Sequence, residues 1–215
     1  MKSEMTELDI LYEDSSIVVV NKPGGILSVP GRGPDKQDCL AKRIRDRYRD
    51  CIPQPSVHRL DMDTSGLMVF ALTAEAHRNL SIQFQDRIVK KQYIALLEGV
   101  VEKEKGKISL AFRVDIDNRP YQVYDPVNGR LGITLWEKIE VVNNQTRILF
   151  SPVTGRTHQL RLHASHPLGL GHPIVGDRLY GHTKPGMPFY LHAASLSFQH
   201  PDSNRTVSFK CPPWF

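Results

Sequence analysis

The run Val57–Leu72, VHRLDMDTSGLMVFAL, constrains this chain more than any other stretch. Its second half, Leu67-Met68-Val69-Phe70-Ala71-Leu72, is continuously apolar, and a run of that length entered through a turn reads as a strand. Thr64, Ser65 and Gly66 supply the turn. Ahead of it stands a carboxylate, Asp61, two residues after Arg59. An Asp at the end of one β segment, on the loop entering the next, is where a rigid sheet can present a reactive group. The alternative is a turn whose Asp caps nearby backbone groups.

The rest of the chain reads as one α+β domain over residues 1–215, with antiparallel strands dominant and helices filling the gaps. Residues 8–21 form a strand pair broken at Glu13–Ser16, 22–36 a Pro/Gly-rich loop, and 38–49 a short helix. Strands at about 55–60 and 67–72 flank the Asp61 turn. Thr73 caps a helix over 74–86, with Ala76, Leu80 and Phe84 four apart. A strand at 91–100 carries Tyr93. Residues 106–150 read as short β segments separated by turns at Asp117–Pro120 and Val127–Arg130. A strand at Thr146–Ser151 leads through a glycine turn to a helix starting at Thr157, and strands at 189–198 and 206–210 end the chain. No repeat, low-complexity tract or long linker interrupts it, and nothing suggests an alternating βαβ nucleotide-binding fold.

Composition excludes several classes. Hydrophobic residues make up 40% and charged ones 24%, ordinary globular values. No apolar run approaches the ~20 residues that span a bilayer, and Met1–Glu7 lacks the apolar core of a secretory signal. Cys39, Cys51 and Cys211 are odd in number and widely spaced, which points to reduced thiols in a cytoplasm. His158, His163, His166 and His172 cluster, but His158 and His163 are five apart without the intervening Glu of a zincin helix, so no metal is expected. The net charge is +5, and Lys42, Arg43, Arg45, Arg47 and Arg49 lie within eight residues. That density suits either a solvated helix, with Ile44 and Tyr48 packing inward, or a phosphate-contacting surface.

Five blocks, in order, carry a resemblance to a known family. Residues 18–31 read VVVNKPGGILSVPG, residues 57–66 VHRLDMDTSG, residues 90–99 KKQYIALLEG, residues 154–163 TGRTHQLRLH and residues 172–181 HPIVGDRLYG. This pattern resembles the RluA family of RNA pseudouridine synthases, whose HRLDxxTSG signature is met at His58, Arg59, Leu60, Asp61, Thr64, Ser65 and Gly66 without departure. The resemblance implies a mixed, mainly antiparallel sheet with flanking helices and a central RNA-binding cleft. It resembles the compact members that lack an S4 module and act on both tRNA and 23S rRNA. It implies RNA as the partner (tRNA and/or 23S rRNA), no membrane, no cofactor and a monomer.

The implied reaction breaks the N1–C1′ bond of a uridine, turns the uracil over and joins C5 to C1′. One carboxylate suits it, as a nucleophile at C1′, a nucleophile on the ring, or a base toward a ribose proton. Asp61 is the candidate; Asp63 falls on a variable position of the motif and reads as a turn residue. If the helix starts near Thr157, His158, Arg161, Leu162 and Ser165 share one face, so Arg161 is the expected partner that keeps Asp61 ionised and oriented. Tyr93 offers a flat ring for a flipped uracil. Arg59 is assigned to the space the flipped base leaves, and His58, Leu162 and Arg156 complete the expected RNA contacts. A non-catalytic RNA-binding module on the same fold is the competing reading, and Asp61, which such a protein could lose freely, is the feature that speaks against it.

Overall fold

Two elements are buried almost throughout, the strand Ser65–Ala71 and the short helix Gln159–Ser165. The computed structural model describes residues 8–183 and 186–215; the N-terminal Met1–Glu7, read above as lacking a secretory core, lies outside them. The chain divides into two compact units, one built from the chain up to Val89 with Ser195–Pro212, the other from Lys90–Ala194 with Pro213–Phe215. No helix of the described residues is long and apolar enough to cross a membrane.

In the first unit β1 (Asp9–Glu13) pairs antiparallel with β2 (Ile17–Lys22), which pairs antiparallel with β3 (Ser65–Ala71). Every residue of β3 is buried, as its unbroken apolar run requires. The turn between β1 and β2 closes on Asp14, whose carboxylate accepts the Ser16 and Ile17 N–H groups at 2.8 and 2.9 Å. Between β2 and β3 lie a 3₁₀ turn at Pro34–Lys36 and helix α1 (Leu40–Arg47). Helix α1 buries Ile44 as expected, but Tyr48 lies past its end and hydrogen-bonds the Glu13 carboxylate instead. Its basic face is partly neutralised by Lys42–Asp46, Arg43–Asp38 and Arg47–Glu13 ion pairs.

Helix α2 (Ala74–Gln85) follows β3 with the predicted cap, the Thr73 hydroxyl accepting the Ala76 N–H at 3.2 Å. Ala76 and Leu80 are fully buried against Ile17, Val19, Leu67 and Val69, and Phe84 packs on the same cluster. The strand expected at 55–60 does not form. Only Ser56 bridges Phe70, because His58 places a ring nitrogen where a strand would place a carbonyl: the Val69 N–H donates to His58 Nε2 at 3.1 Å.

The second unit is a sheet in the order β4-β8-β7-β5-β6, with antiparallel pairs throughout. Its strands are β4 (Lys90–Glu98), β5 (Lys105–Val114), β6 (Gln122–Tyr124), β7 (Arg130–Val142) and β8 (Gln145–Pro152). The predicted turns at 117–120 and 127–130 are present, but the predicted short segments are not: β7 alone runs 13 residues. Asn143 and Asn144 take φ of 51° and 59°, the left-handed pair of a two-residue hairpin from which β7 and β8 pair back as far as Thr134 and Pro152, with a register shift between Lys138 and Glu140.

Helix α3 (Gln159–Ser165) begins two residues later than predicted. His158 takes φ 54° at its N-cap, so it does not belong to the helical face that the spacing suggested. Gln159 stops the helix from starting earlier, because its side chain serves the preceding turn: Oε1 accepts from Thr154 Oγ1 (2.7 Å) and the Arg156 N–H (3.1 Å). Its Nε2 donates to the Ile133 carbonyl and Thr134 Oγ1 of β7 at 3.0 and 2.9 Å. Six of the helix residues, Gln159 to Ala164, are buried, a burial that a helix of two turns could not sustain without such docking. Strand β9 (Leu191–Gln199) then leads into β10 (Thr206–Lys210), close to the expected spans, and the two pair antiparallel.

His163 has no exposed surface; its Nδ1 lies 3.0 Å from Thr134 Oγ1 while Nε2 has no hydrogen-bond partner. Burial, with a smaller push from His166, lowers its pKa to about 4. The unfolded chain therefore takes up a proton near pH 6.5 that the folded one refuses until about pH 4. Stability should fall as pH drops through that window, by on the order of 3 kcal/mol, and level off below it. Urea unfolding of wild type and His163→Asn between pH 7 and 4 measures this: the variant, which keeps the Thr134 contact but does not titrate, should show a flatter profile.

Candidate active site

Asp61 lies on a loop without a β-ladder, so its backbone groups must find partners elsewhere. Side chains supply three of them in the first unit. The Ser28 hydroxyl donates to the Leu60 carbonyl at 2.8 Å and accepts the Leu60 N–H at 3.0 Å. Lys22, with no exposed surface, donates from Nζ to the Pro23 and Met62 carbonyls at 2.9 and 2.8 Å. His58 accepts the Val69 N–H and stacks on Phe84 at 4.5 Å. Backbone contacts add to these: Gly25, at φ +83°, directs its N–H to the Met62 carbonyl at 3.0 Å, and the Thr64 N–H returns to the Asp61 carbonyl at 3.2 Å. Asp61 stays half-buried and Arg59 is exposed. The loop is therefore stiff while its functional groups remain reachable.

In the second unit Arg161 is built into a cage. Its Nε and Nη2 donate to the two oxygens of Asp177 at 2.8 and 2.6 Å, with both side chains buried. The rings of Tyr180 and Phe189 lie 5.3 and 5.2 Å from the guanidinium carbon, one contact each of the cation–π kind. Asp177 is oriented in turn by the N–H groups of Leu179 and Tyr180. The Tyr180 hydroxyl accepts the Gln122 N–H at 2.7 Å and lies 3.0 Å from His158 Nδ1. The preceding Gly176 is obligatory: at φ +82° a Cβ would come within 1.9 Å of the Pro188 carbonyl oxygen. Within the HPIVGDRLYG block, Gly176, Asp177 and Tyr180 thus fix one arginine.

The other candidates sort by exposure. Tyr93, half-buried on β4, stands opposite Phe150 of β8 and packs against the second unit's core. Arg156 is exposed on the loop before α3. Leu162, expected to touch RNA, is instead a core residue packed among Ile148, Phe150 and Ile174. The clustered histidines are used structurally: His172 Nδ1 lies 2.8 Å from the Glu98 carbonyl, and His166 Nδ1 accepts the Leu168 N–H. Sequence reasoning missed Ser28, Lys22 and Asp177. All three lie in the family-like blocks, and a lone Lys closing the apolar run Val18-Val19-Val20 was a readable signal. The Asp177 fork had none, since sixteen residues separate it from Arg161.

The first unit thus holds Asp61 and Asp63 on a turn clamped by Ser28, Lys22 and His58, and the second unit holds Arg161 in a buried fork with Asp177. Residues 16–166 match the RNA pseudouridylate synthase family, and the chain belongs to that family. It is an RNA uridine-to-pseudouridine isomerase. It is 44% identical over 212 residues to the dual-specificity RNA pseudouridine synthase RluA of Pasteurella multocida, covering 97% of this chain and 94% of that one. Its identity to the protein of the same name from Escherichia coli K12 is 43%, with the same coverage. Among solved structures, human RNA pseudouridylate synthase domain containing 1 superposes with a TM-score of 0.76 at 29% identity, covering 96% of this chain and 84% of that one.

The Arg161–Asp177 pair carries a test of the cage. Removing one partner of a buried, bidentate pair strands the other charge, at a cost of about 3–5 kcal/mol. Asp177→Ala should lower unfolding free energy by that amount, while Asp202→Ala, at an exposed turn, should stay within about 0.5 kcal/mol of wild type. Guanidinium denaturation followed by circular dichroism measures both.

Proposed function

We propose that Asp61 carries the isomerisation, and that the substrates are folded loops of tRNA and 23S rRNA. The observation that supports this most is the contrast within one loop: the backbone around Asp61 is clamped at Leu60 and Met62, yet the carboxylate and its neighbour Arg59 keep access to solvent. Clamping of that kind serves catalysis, because a misplaced catalytic group loses rate steeply. The dual-specificity designation of the relatives supports two RNA classes, and the motif resemblance supports tRNA and 23S rRNA as those classes.

The reaction is an isomerisation, so its atoms balance within the nucleotide. The N1–C1′ bond breaks, a C5–C1′ bond forms, the proton on C5 is lost and N1 gains one. Asp61 serves as the anionic group that assists cleavage at C1′ or on the ring. Reaching the uridine requires it to leave its stack, at a cost of a few kcal/mol, and the exposed Arg59 guanidinium fills the vacated place by stacking and hydrogen bonding. Tyr93 contributes a ring face to the flipped uracil, Arg161 serves the reacting centre as a fixed cation, and Arg156 contacts phosphate. His58, whose ring is bound to the Val69 N–H, acts by holding the loop. A cytoplasmic location accords with three cysteines that are odd in number and widely spaced.

Asp61→Asn should abolish pseudouridine formation, measured by tritium release from 5-tritiated RNA, while RNA affinity stays within a few-fold of wild type; substantial turnover by the variant removes Asp61 from the role. Arg59→Ala should impair folded stem-loops more than a short unstructured RNA carrying the same uridine. Equal losses on both substrates would deny Arg59 its part in base flipping.

A further inference from the structure

Outside the five motif blocks, one turn of the second unit presents an aromatic ring that the reaction above does not use. Tyr121 stands at the entry to β6 with 36% of its surface exposed. A single exposed tyrosine means little by itself, but this one is held. Its N–H donates to the Asn118 carbonyl at 3.0 Å, and its carbonyl accepts the Asp115 N–H at 2.9 Å. Asp115 closes the same turn, its carboxylate accepting the N–H groups of Asp117 and Asn118 at 3.2 and 3.3 Å and the Asn118 side-chain amide at 3.0 Å. The Tyr121 ring packs at 79° to Tyr180, with centroids 5.8 Å apart. Tyr180 is the ring that lies 5.3 Å from the Arg161 guanidinium carbon, and its centroid is 5.7 Å from that of His158. Tyr121 is therefore the exposed end of an aromatic row that starts at the Arg161 cage. Each ring of that row follows an exposed arginine by two positions: Arg119 precedes Tyr121, Arg156 precedes His158, and Arg178 precedes Tyr180.

We propose that Tyr121 is a specificity-determining residue for the isomerisation: its ring stacks on an unpaired base that neighbours the target uridine in the RNA strand. The inference rests on the flipped uridine proposed above. A base that leaves its stack uncovers a face of each neighbour, and an uncovered base face is met by a flat side chain. A tyrosine supplies one, and its hydroxyl end stays wet. With the backbone hydrogen-bonded on both sides and Tyr180 bracing the ring, little conformational freedom is left to lose when a base arrives. The interleaved arginines suit an anionic strand, since aromatic rings in a positively charged groove are how single-stranded nucleic acid is held. An apolar protein partner would match this surface badly, because it would have to strip water from three exposed guanidinium groups. The ring also lies where it can select substrate without joining the chemistry, for its link to Arg161 runs through Tyr180.

The experiment is a double-mutant cycle between protein and RNA. A stem-loop that wild type converts is prepared intact and with an abasic nucleotide at each unpaired position flanking the target uridine in turn. The ratio kcat/KM is measured for wild type, for Tyr121→Leu, which keeps an apolar contact with Tyr180 but no flat face, and for Tyr121→Phe, which keeps the ring. One base–aromatic stack is worth about 5- to 150-fold. Tyr121→Leu should lose a factor in that range on the intact stem-loop, and Tyr121→Phe should recover most of it. At one flanking position the abasic nucleotide should cost wild type a similar factor and Tyr121→Leu nothing further, because the stack is already gone. The inference is overturned if Tyr121→Leu keeps kcat/KM within about threefold of wild type, or if its loss multiplies with the abasic loss at every position, as a merely structural ring would make it. It is equally overturned if Tyr121→Leu does not fold, because the ring is then part of the scaffold. Failure of the underlying reading looks different: Arg59→Ala would lose equally on folded and unstructured RNA while the coupling at Tyr121 still appeared, which would keep the stack and remove the flipped base.

Discussion

Backbone polar groups that leave a ladder must be paid for by some other hydrogen-bond partner, and that constraint shapes the region around Asp61. The loop that carries Asp61 is irregular, and an irregular loop strands N–H and C=O groups that a ladder would otherwise share. Here side chains replace the missing strand. Ser28 takes both polar groups of Leu60, Lys22 takes the Met62 carbonyl, and His58 takes the Val69 N–H that a partner strand would have used. Each substitute is a directional bond from a buried or half-buried side chain, so the loop has few ways to relax.

The second unit solves a related problem with opposite means. Arg161 sits on a helix of seven residues, too short to be stable alone. Helix α3 persists because Gln159 and His163 reach β7 and because its apolar residues join the core of Ile148, Phe150 and Ile174. The guanidinium is then fixed by Asp177 and two aromatic faces, which bring its burial to 6% exposed. Such a fork lowers the conformational freedom lost when a further anion approaches, because the fork is already ordered.

Much of this was legible in the chain. Periodicity and capping chemistry located α2 with its Thr73 cap, β3, β9 and β10 within a residue or two, because each rests on local rules: a hydroxyl before an amphipathic run, or unbroken apolar residues after a turn. Local rules failed where a side chain overrode them. The strand expected at 55–60 gave way to the His58 ring, the helix expected from Thr157 was delayed by Gln159, and where short segments were expected over 106–150 the chain forms the 13-residue β7, closed by the left-handed Asn143–Asn144 turn.

For the functional residues the division is similar. The order of the five motif blocks was enough to nominate Asp61, Arg161, Tyr93 and Arg59 as candidates, since motif chemistry is written in neighbouring residues. The sequence by itself also determined the antiparallel class and the elements α2, β3, β9 and β10, which follow from apolar runs, caps and turns. What only the tertiary structure decided is how those residues are held: Lys22 reaching forty positions along the chain to Met62, and Arg161 reaching sixteen to Asp177. It also decided that Leu162 is core. Burial and hydrogen-bond pairing at such separations depend on which elements the folded chain brings together, and no local pattern of residues encodes that.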